Sequence, residues 1–207
     1  MRDRNATRRR IIDAAYALFY RHGYARIGVD AIAERADVTK RTLYDHFRSK
    51  DDLLAAVLEQ HHELALRQIA QWGARAESSL PGAIDTIFAE LARWAATPRW
   101  AGSGFTRLAM ELADMPGHPA RVVARRHKAA VEDWFAQSLA RRRMRDPKER
   151  AREIVLLLEG AVTLMLVHGD RAYAAAAARA AKRLLRRAPP GRRDRAEGAV
   201  ALPRQLR

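Results

Sequence analysis

Between residues 39 and 50 the chain concentrates side chains that donate hydrogen bonds or carry positive charge: Thr39, Lys40, Arg41, Thr42, Tyr44, His46 and Lys50. Hydroxyl, ammonium, guanidinium and imidazole groups grouped this way suit phosphate oxygens and the edges of bases. Little else in the chain points to reaction chemistry. There is no Cys, which removes a thiolate nucleophile and a thiolate metal site. No Gly-rich phosphate loop and no paired-carboxylate motif is present. His61-His62-Glu63 invites a metal reading, but a His-Glu-x-x-His pattern needs a second His where Leu66 stands. No catalytic residue, metal or cofactor is therefore expected, and the chain is not read as an enzyme.

The elements that must hold these groups are short helices. Val29, Ile32, Ala33 and Ala36 recur at helical spacing and predict a helix from about Val29 to Arg35. A second begins after Thr39, whose hydroxyl can accept from an N–H of the next turn. It turns Leu43 and Phe47 inward and the polar set outward. Only Ala36, Asp37 and Val38 separate the two helices. So tight a joint forces a steep crossing, the geometry of a helix-turn-helix, whose second helix lies in the major groove of DNA. A longer helix, about Thr7 to His22, precedes them with Ile11, Ile12, Ala15, Leu18 and Phe19 on one stripe, and Gly23 ends it. Ser49 with Asp52 three residues on predicts the start of a fourth helix, which runs to about Trp72.

The run from Ile32 to Phe47, followed by Ser49-Lys50-Asp51-Asp52-Leu53-Leu54 and preceded by Ile11-Ile12-Asp13-Ala14-Ala15, Leu18-Phe19 and Gly23-Tyr24, resembles the DNA-binding domain of the TetR family of repressors. The resemblance covers about residues 8 to 60. It implies DNA contacts from Gly28, Val29, Thr39, Lys40, Arg41, Thr42, Tyr44, His46 and Lys50, with Tyr44 reaching a backbone phosphate. Two positions depart from the family pattern. Ile27-Gly28 stand where members carry Thr-Thr or Thr-Ser, so a side-chain phosphate contact is missing there and the burden shifts to Thr39, Tyr44, His46 and Lys50. Asp37 replaces the usual turn Gly, and Asp tolerates the left-handed conformation better than most residues.

The chain has 207 residues, 48% hydrophobic, and a formal net charge of +15. Residues 1–60 hold 12 Lys and Arg against 9 Asp and Glu, a net of +3, whereas the remainder carries +12. The charge excess thus lies mostly outside the DNA reader and permits, rather than demonstrates, nucleic-acid binding. The N-terminus has no apolar core of a signal peptide, and no apolar run approaches ~18 residues. A cytoplasmic location is expected.

The expected organisation is all-α: a flexible basic arm over 1–7, where the N-terminal cluster Arg2, Arg4, Arg8, Arg9 and Arg10 begins and offers a minor-groove or phosphate contact, a helix-turn-helix domain over 8–50, a connecting helix over 51–75, a helical ligand-binding and dimerisation domain over 76–188 and a disordered tail over 189–207. Ala76 to Gly82 is the clearest boundary, and helices are predicted over about 81–96, 105–114, 120–142, 147–167 and 171–187, with Asp146 and Asp170 as caps. Trp94, Phe105, Met110, His127, Trp134 and Met165 are candidate walls for a small-molecule effector, apolar or aromatic, although the many Arg residues would also suit an acidic one. Glu153 to Val167 is apolar on nearly every face, so one side calls for a second subunit. Leu157, Gly160, Ala161, Leu164 and Ala178 are the expected homodimer contacts. The function implied is a regulator, a repressor that binds a palindromic DNA operator as a dimer and is released by a ligand. The alternative is a helical scaffold that binds nucleic acid without sequence preference.

Overall fold

The computed structural model describes residues 3–75 and 79–186, and among these every regular element is a helix. The tail expected beyond 188, together with Met1, Arg2 and residues 76–78 of the expected boundary, lies outside the described residues. No helix among the described residues is long and apolar enough to cross a membrane.

Helix α1 spans Arg4–His22. It starts three residues earlier than its apolar stripe suggests. The Asp3 carboxylate accepts from the Asn5 amide at 2.9 Å, satisfying one of the first-turn donors, and Thr7 is buried. The expected arm is therefore corrected: residues 4–7 are the first turn of a capped helix. Gly23, at φ 85°, closes α1 with its N–H on the Phe19 carbonyl.

Helices α2 (Val29–Arg35) and α3 (Lys40–His46) follow. Asp37 in the turn between them is left-handed at φ 51°, as the departure from Gly requires. The Asp37 and Val38 amides return to the Glu34 and Ala33 carbonyls at 3.1 and 3.0 Å, so the sharp reversal leaves no backbone donor stranded there. Thr39 caps α3 through a 3.0 Å bond from the Thr42 amide. Helix α4 (Lys50–Arg75) begins with Ser49 Oγ accepting from the Asp52 amide at 3.0 Å, and the Asp52 carboxylate accepts from the Arg48 amide at 3.2 Å. This is the capping box expected there, with its return bond one residue earlier.

Helices α5 (Leu80–Ala95), α6 (Gly104–Glu111), α7 (Pro119–Ala140), α8 (Pro147–His168) and α9 (Ala172–Leu184) build the body. Ser79 and Ser103 cap α5 and α6 through their hydroxyls. His118 caps α7 with Nδ1, which accepts from the Ala120 amide at 3.1 Å. Asp170 accepts from the Ala172 amide at 2.8 Å ahead of α9. Asp146 does not cap α8. It is left-handed at φ 51° and its carboxylate meets the Arg145 guanidinium at 3.2 Å instead.

Two apolar cores result, and their division does not follow the chain. The first joins Ile11, Phe19, Ile32, Leu43 and Phe47 to Leu53, Leu54 and Val57 of α4, then continues through Phe105, Leu108 and Leu112 to Val123 of α7. The second gathers Ile84, Ile87 and Phe88, Phe135 and Leu139, Ile154, Ala161 and Met165, and the small face Ala174, Ala177, Ala178 and Ala181. The helix-turn-helix unit therefore shares one core with α6 and the start of α7, rather than hanging from α4 alone.

Candidate nucleic-acid interface

Helix α3 is fixed by Leu43, fully buried, and by Phe47 at its end. With those two inward, the 3.6-residue period leaves Lys40, Arg41, Tyr44 and Asp45 exposed, and Thr42 and His46 half-buried at the edges. The exposure of Tyr44 means it does not pack into the bundle. Thr39 Oγ and Thr42 Oγ lie 2.8 Å apart, so the capping residue also orients the Thr42 hydroxyl. Lys40 Nζ meets the Asp30 carboxylate of α2 at 3.0 Å, a solvent-exposed pair whose hydrogen bond raises the Lys40 pKa. Pairs of this kind are worth little in water and can be exchanged for phosphate.

The start of α1 lies beside this face. Arg4 and Thr7 share a groove of about 750 Å³ with Thr39, Thr42 and His46, in which Glu34, Asp37 and Asp45 also stand. Arg10 donates to the Asp37 carbonyl at 3.2 Å, and the Arg8 guanidinium sits 5.0 Å above the Phe47 ring. Two cations of the N-terminal cluster thus brace the turn and α3. Gly28 starts α2 with extended backbone and no side-chain cap; a Cβ built there would meet nothing within 4 Å. Val29 is half-buried and packs partly onto the first core.

Lys50 is not a free surface cation. Its Nζ lies 4.0 Å from the centroid of the Tyr24 ring, and burial lowers its pKa. Tyr24 in turn donates its hydroxyl to Asp51, and burial, followed by that bond, raises its pKa. Asp51 Oδ1 is 3.5 Å from Nε2 of buried His118, a contact without hydrogen-bond geometry. Glu111, at the end of α6, accepts from the Tyr24 and Ala25 amides at 3.0 and 2.7 Å. Arg107 donates to the Tyr20 carbonyl at 2.8 Å, and Tyr20 bridges Gly102 and Ala101 with its hydroxyl. Sequence reasoning missed this junction of Tyr24, Asp51, Glu111 and His118. No local signal marks it, because its members come from loops and helix ends far apart in the chain.

The residues expected to wall a ligand site do not converge. Phe105 stacks on His127 at 3.8 Å, His127 Nδ1 meets His62 Nδ1 at 3.2 Å, and Phe105 belongs to the first core. Burial, and then the Lys128 charge, pushes the His127 pKa down to about 3. Trp94 lies edge-on to Trp100, Met165 is buried in the second core, and Met110 is 72% exposed. Of the six, Trp134 lines a cavity of about 260 Å³ among α4, α5, α7 and α8. Aromatic and Met content does not separate a core from a cavity wall. The expected dimer contacts divide as well. Ala161 and Ala178 are buried inside the protomer's second core, and Leu157 packs partly onto it. Gly160 faces open space and Leu164 is exposed, beside Leu156 and Val167 at 67% and 68% exposure. The described residues bring no three His, Asp or Glu side chains together as a metal site.

The model of bacterial regulatory proteins of the tetR family matches residues 11–57, from α1 into α4. A crystal structure from Streptomyces avermitilis, described as a TetR transcriptional regulator, superposes over 85% of this chain and 98% of its own, with a TM-score of 0.72 and 30% sequence identity. The chain belongs to the TetR family. Its α2–α3 unit is that family's DNA-binding helix-turn-helix. A second TetR-family regulator, from Streptomyces coelicolor, aligns over 87% of this chain and 95% of its own at 26% identity and a TM-score of 0.73. The HTH-type transcriptional regulator TtgR of Pseudomonas putida is 46% identical over 57 residues, 28% of this chain and 27% of TtgR. The match to such curated relatives thus spans only about a quarter of their length. The TetR likeness is strongest in the helix-turn-helix unit and reaches the body as a shared fold.

Proposed function

We propose that this chain is a transcriptional repressor that binds a palindromic operator as a homodimer in the cytoplasm and leaves it when a small molecule occupies the body. The observation that carries the reading is α3: two buried anchors, Leu43 and Phe47, hold a helix whose other side offers Lys40, Arg41, Thr42, Tyr44 and His46. Those groups can read base edges and grip phosphate. Lys50, with the Gly28 and Val29 backbone, flanks that face and would position it on the duplex.

The exposed apolar stripe of α8, Leu156, Leu164 and Val167, supports the dimer. A twofold pair of readers matches two half-sites about one or more helical turns apart. The release step follows from linkage: a ligand that prefers the conformation unable to span both half-sites lowers operator affinity by its differential affinity. In this reading residues 8–50 read DNA, 51–75 connect, and 76–188 bind ligand and partner.

The test is selection of bound DNA from a random pool, followed by footprinting. Enrichment of a twofold-symmetric sequence supports the reading. Recovery of DNA without a common sequence would instead favour a scaffold that binds nucleic acid by charge alone.

A further inference from the structure

The cavity of about 260 Å³ lies where the C-terminal turns of α4 and α7 meet α5 and α8. Ile84, Ile87 and Trp134 give it apolar walls. Trp134 reaches α4 because residue 73 is Gly; a Cβ there would lie 2.7 Å from the indole. The polar side chains of the lining are Ser138, Arg141 and Arg142, with no carboxylate among them.

Several other cations of the body are held by carboxylates. Lys128 has Glu159 at 2.5 Å, Lys182 has Asp85 at 2.7 Å, and Arg152 has Glu132 at 3.0 Å. Arg141 reaches only Ser138 Oγ, at 3.1 Å, and neither Arg141 nor Arg142 meets a carboxylate among the described residues. The Ser138 hydroxyl is already committed, since it donates to the Trp134 carbonyl at 2.8 Å. An apolar cavity with two exposed guanidinium groups at its edge, neither facing a carboxylate, has the polarity of an amphiphilic anion turned inside out.

We propose that this cavity takes a small organic acid, a single carboxylate on an apolar ring or chain. The class of ligand rests on the reading of the chain as a ligand-released regulator. The guanidinium fork matches a carboxylate with two parallel hydrogen bonds. A carboxylate buried among Ile84, Ile87 and Trp134 without a partner would be strongly disfavoured, so the head belongs at Arg141 and Arg142 and the body beside the indole. The carboxyl end of α7 places roughly half a negative charge nearby, which two full cations outweigh. A neutral ligand gains no charge-assisted bond from the guanidinium groups and a cationic one is repelled. Because Trp134 already touches Gly73, a guest that moves the indole bears on α4, whose other end carries Lys50 and Asp51 at the junction with the DNA reader.

The test uses the full-length protein and calorimetry with two matched pairs: 1-naphthylacetate and octanoate, each beside its primary amide. The expected result is that at least one acid binds ten or more times tighter than its amide. The Arg141→Gln, Arg142→Gln double variant should lose that preference with its unliganded melting temperature unchanged, and the double Lys variant should regain part of it. Ala83→Phe, which fills the cavity, should abolish binding of acid and amide alike. Acids that bind no better than amides, that fail to bind at millimolar concentration, or that bind Ala83→Phe undiminished overturn the proposal. Operator binding is followed in the same samples. An acid that binds with the charge preference yet leaves DNA bound upholds the cavity and sinks the release reading. Release by a neutral compound with no response to acids upholds release and overturns this ligand class.

Discussion

The Glu111 carboxylate takes the Ala25 amide at 2.7 Å across 86 residues of chain, and the Tyr24 amide at 3.0 Å with its other oxygen. The end of α6 therefore holds the loop that leads into α2. Both acceptors are charged, but Glu111 is exposed, so the pair of bonds is worth on the order of 1 kcal/mol. Glu111→Ala should weaken operator binding about fivefold with only a small fall in melting temperature. Glu111→Gln, which keeps one acceptor, should fall between. Gel-shift titration beside thermal melts checks this; an operator affinity equal to wild type in Glu111→Ala would show that α6 does not hold the reader.

Thr39, Thr42 and Lys50 should separate three roles. Thr39→Ala removes the α3 cap and should cost about 1 kcal/mol of stability. Thr42→Ala should change base preference more than Lys50→Ala, because Thr42 sits on the outward edge of α3. Lys50→Ala should weaken all sequences alike and reduce the salt slope by about 0.9 for each phosphate that is no longer neutralised. Selection from random DNA with each variant, and titrations at several salt concentrations, distinguish them. A sequence-selective effect of Lys50→Ala would count against a phosphate role.

The exposed side of α8 carries the dimer prediction. Leu156→Glu with Val167→Glu places charge on an apolar stripe and leaves the protomer core untouched. Sedimentation at micromolar concentration should show a dimer for the wild type and a folded monomer for the double variant. Ala161→Glu should instead damage the fold, since Ala161 is buried against the second core. A wild-type monomer would remove the twofold operator from the reading.

His127 makes stability depend on acid. Its pKa is pushed down to about 3 in the fold, against about 6.5 unfolded. Between those values the unfolded chain binds a proton that the folded chain does not. Stability from this group is therefore complete above pH 6.5 and is lost as pH falls toward 3, with a slope of up to about 1.4 kcal/mol per pH unit. Urea unfolding midpoints at pH 7.5 and 5.0 should differ accordingly, and His127→Asn should narrow the gap. An unchanged gap in that variant would assign the acid sensitivity to other groups.

The helix-turn-helix unit was legible because each of its devices is local. Leu43 and Phe47 are four residues apart, Thr39 caps its own helix, and Asp37 takes the left-handed turn that the three-residue joint requires. The expected ligand walls could not be told from core packing along the chain: Phe105 and Met165 are as apolar in a core as they would be beside a guest. The expected dimer contacts were half legible, since an all-apolar helix announces that every face calls for burial but not which face meets its own protomer. Ala161 and Ala178 proved to meet the protomer, and Leu156 and Val167 do not.

By itself the sequence determined the all-helical class, the reader and its polar face, because helical period, caps and turns depend on groups within a few residues of each other. Tertiary structure alone decided that the reader shares a core with α6 and α7, that Glu111 and Asp51 join it to the body, and that Arg141 and Arg142 look into an apolar cavity. Those relations arise between residues tens of positions apart, whose meeting is set by how whole helices pack and not by any spacing along the chain.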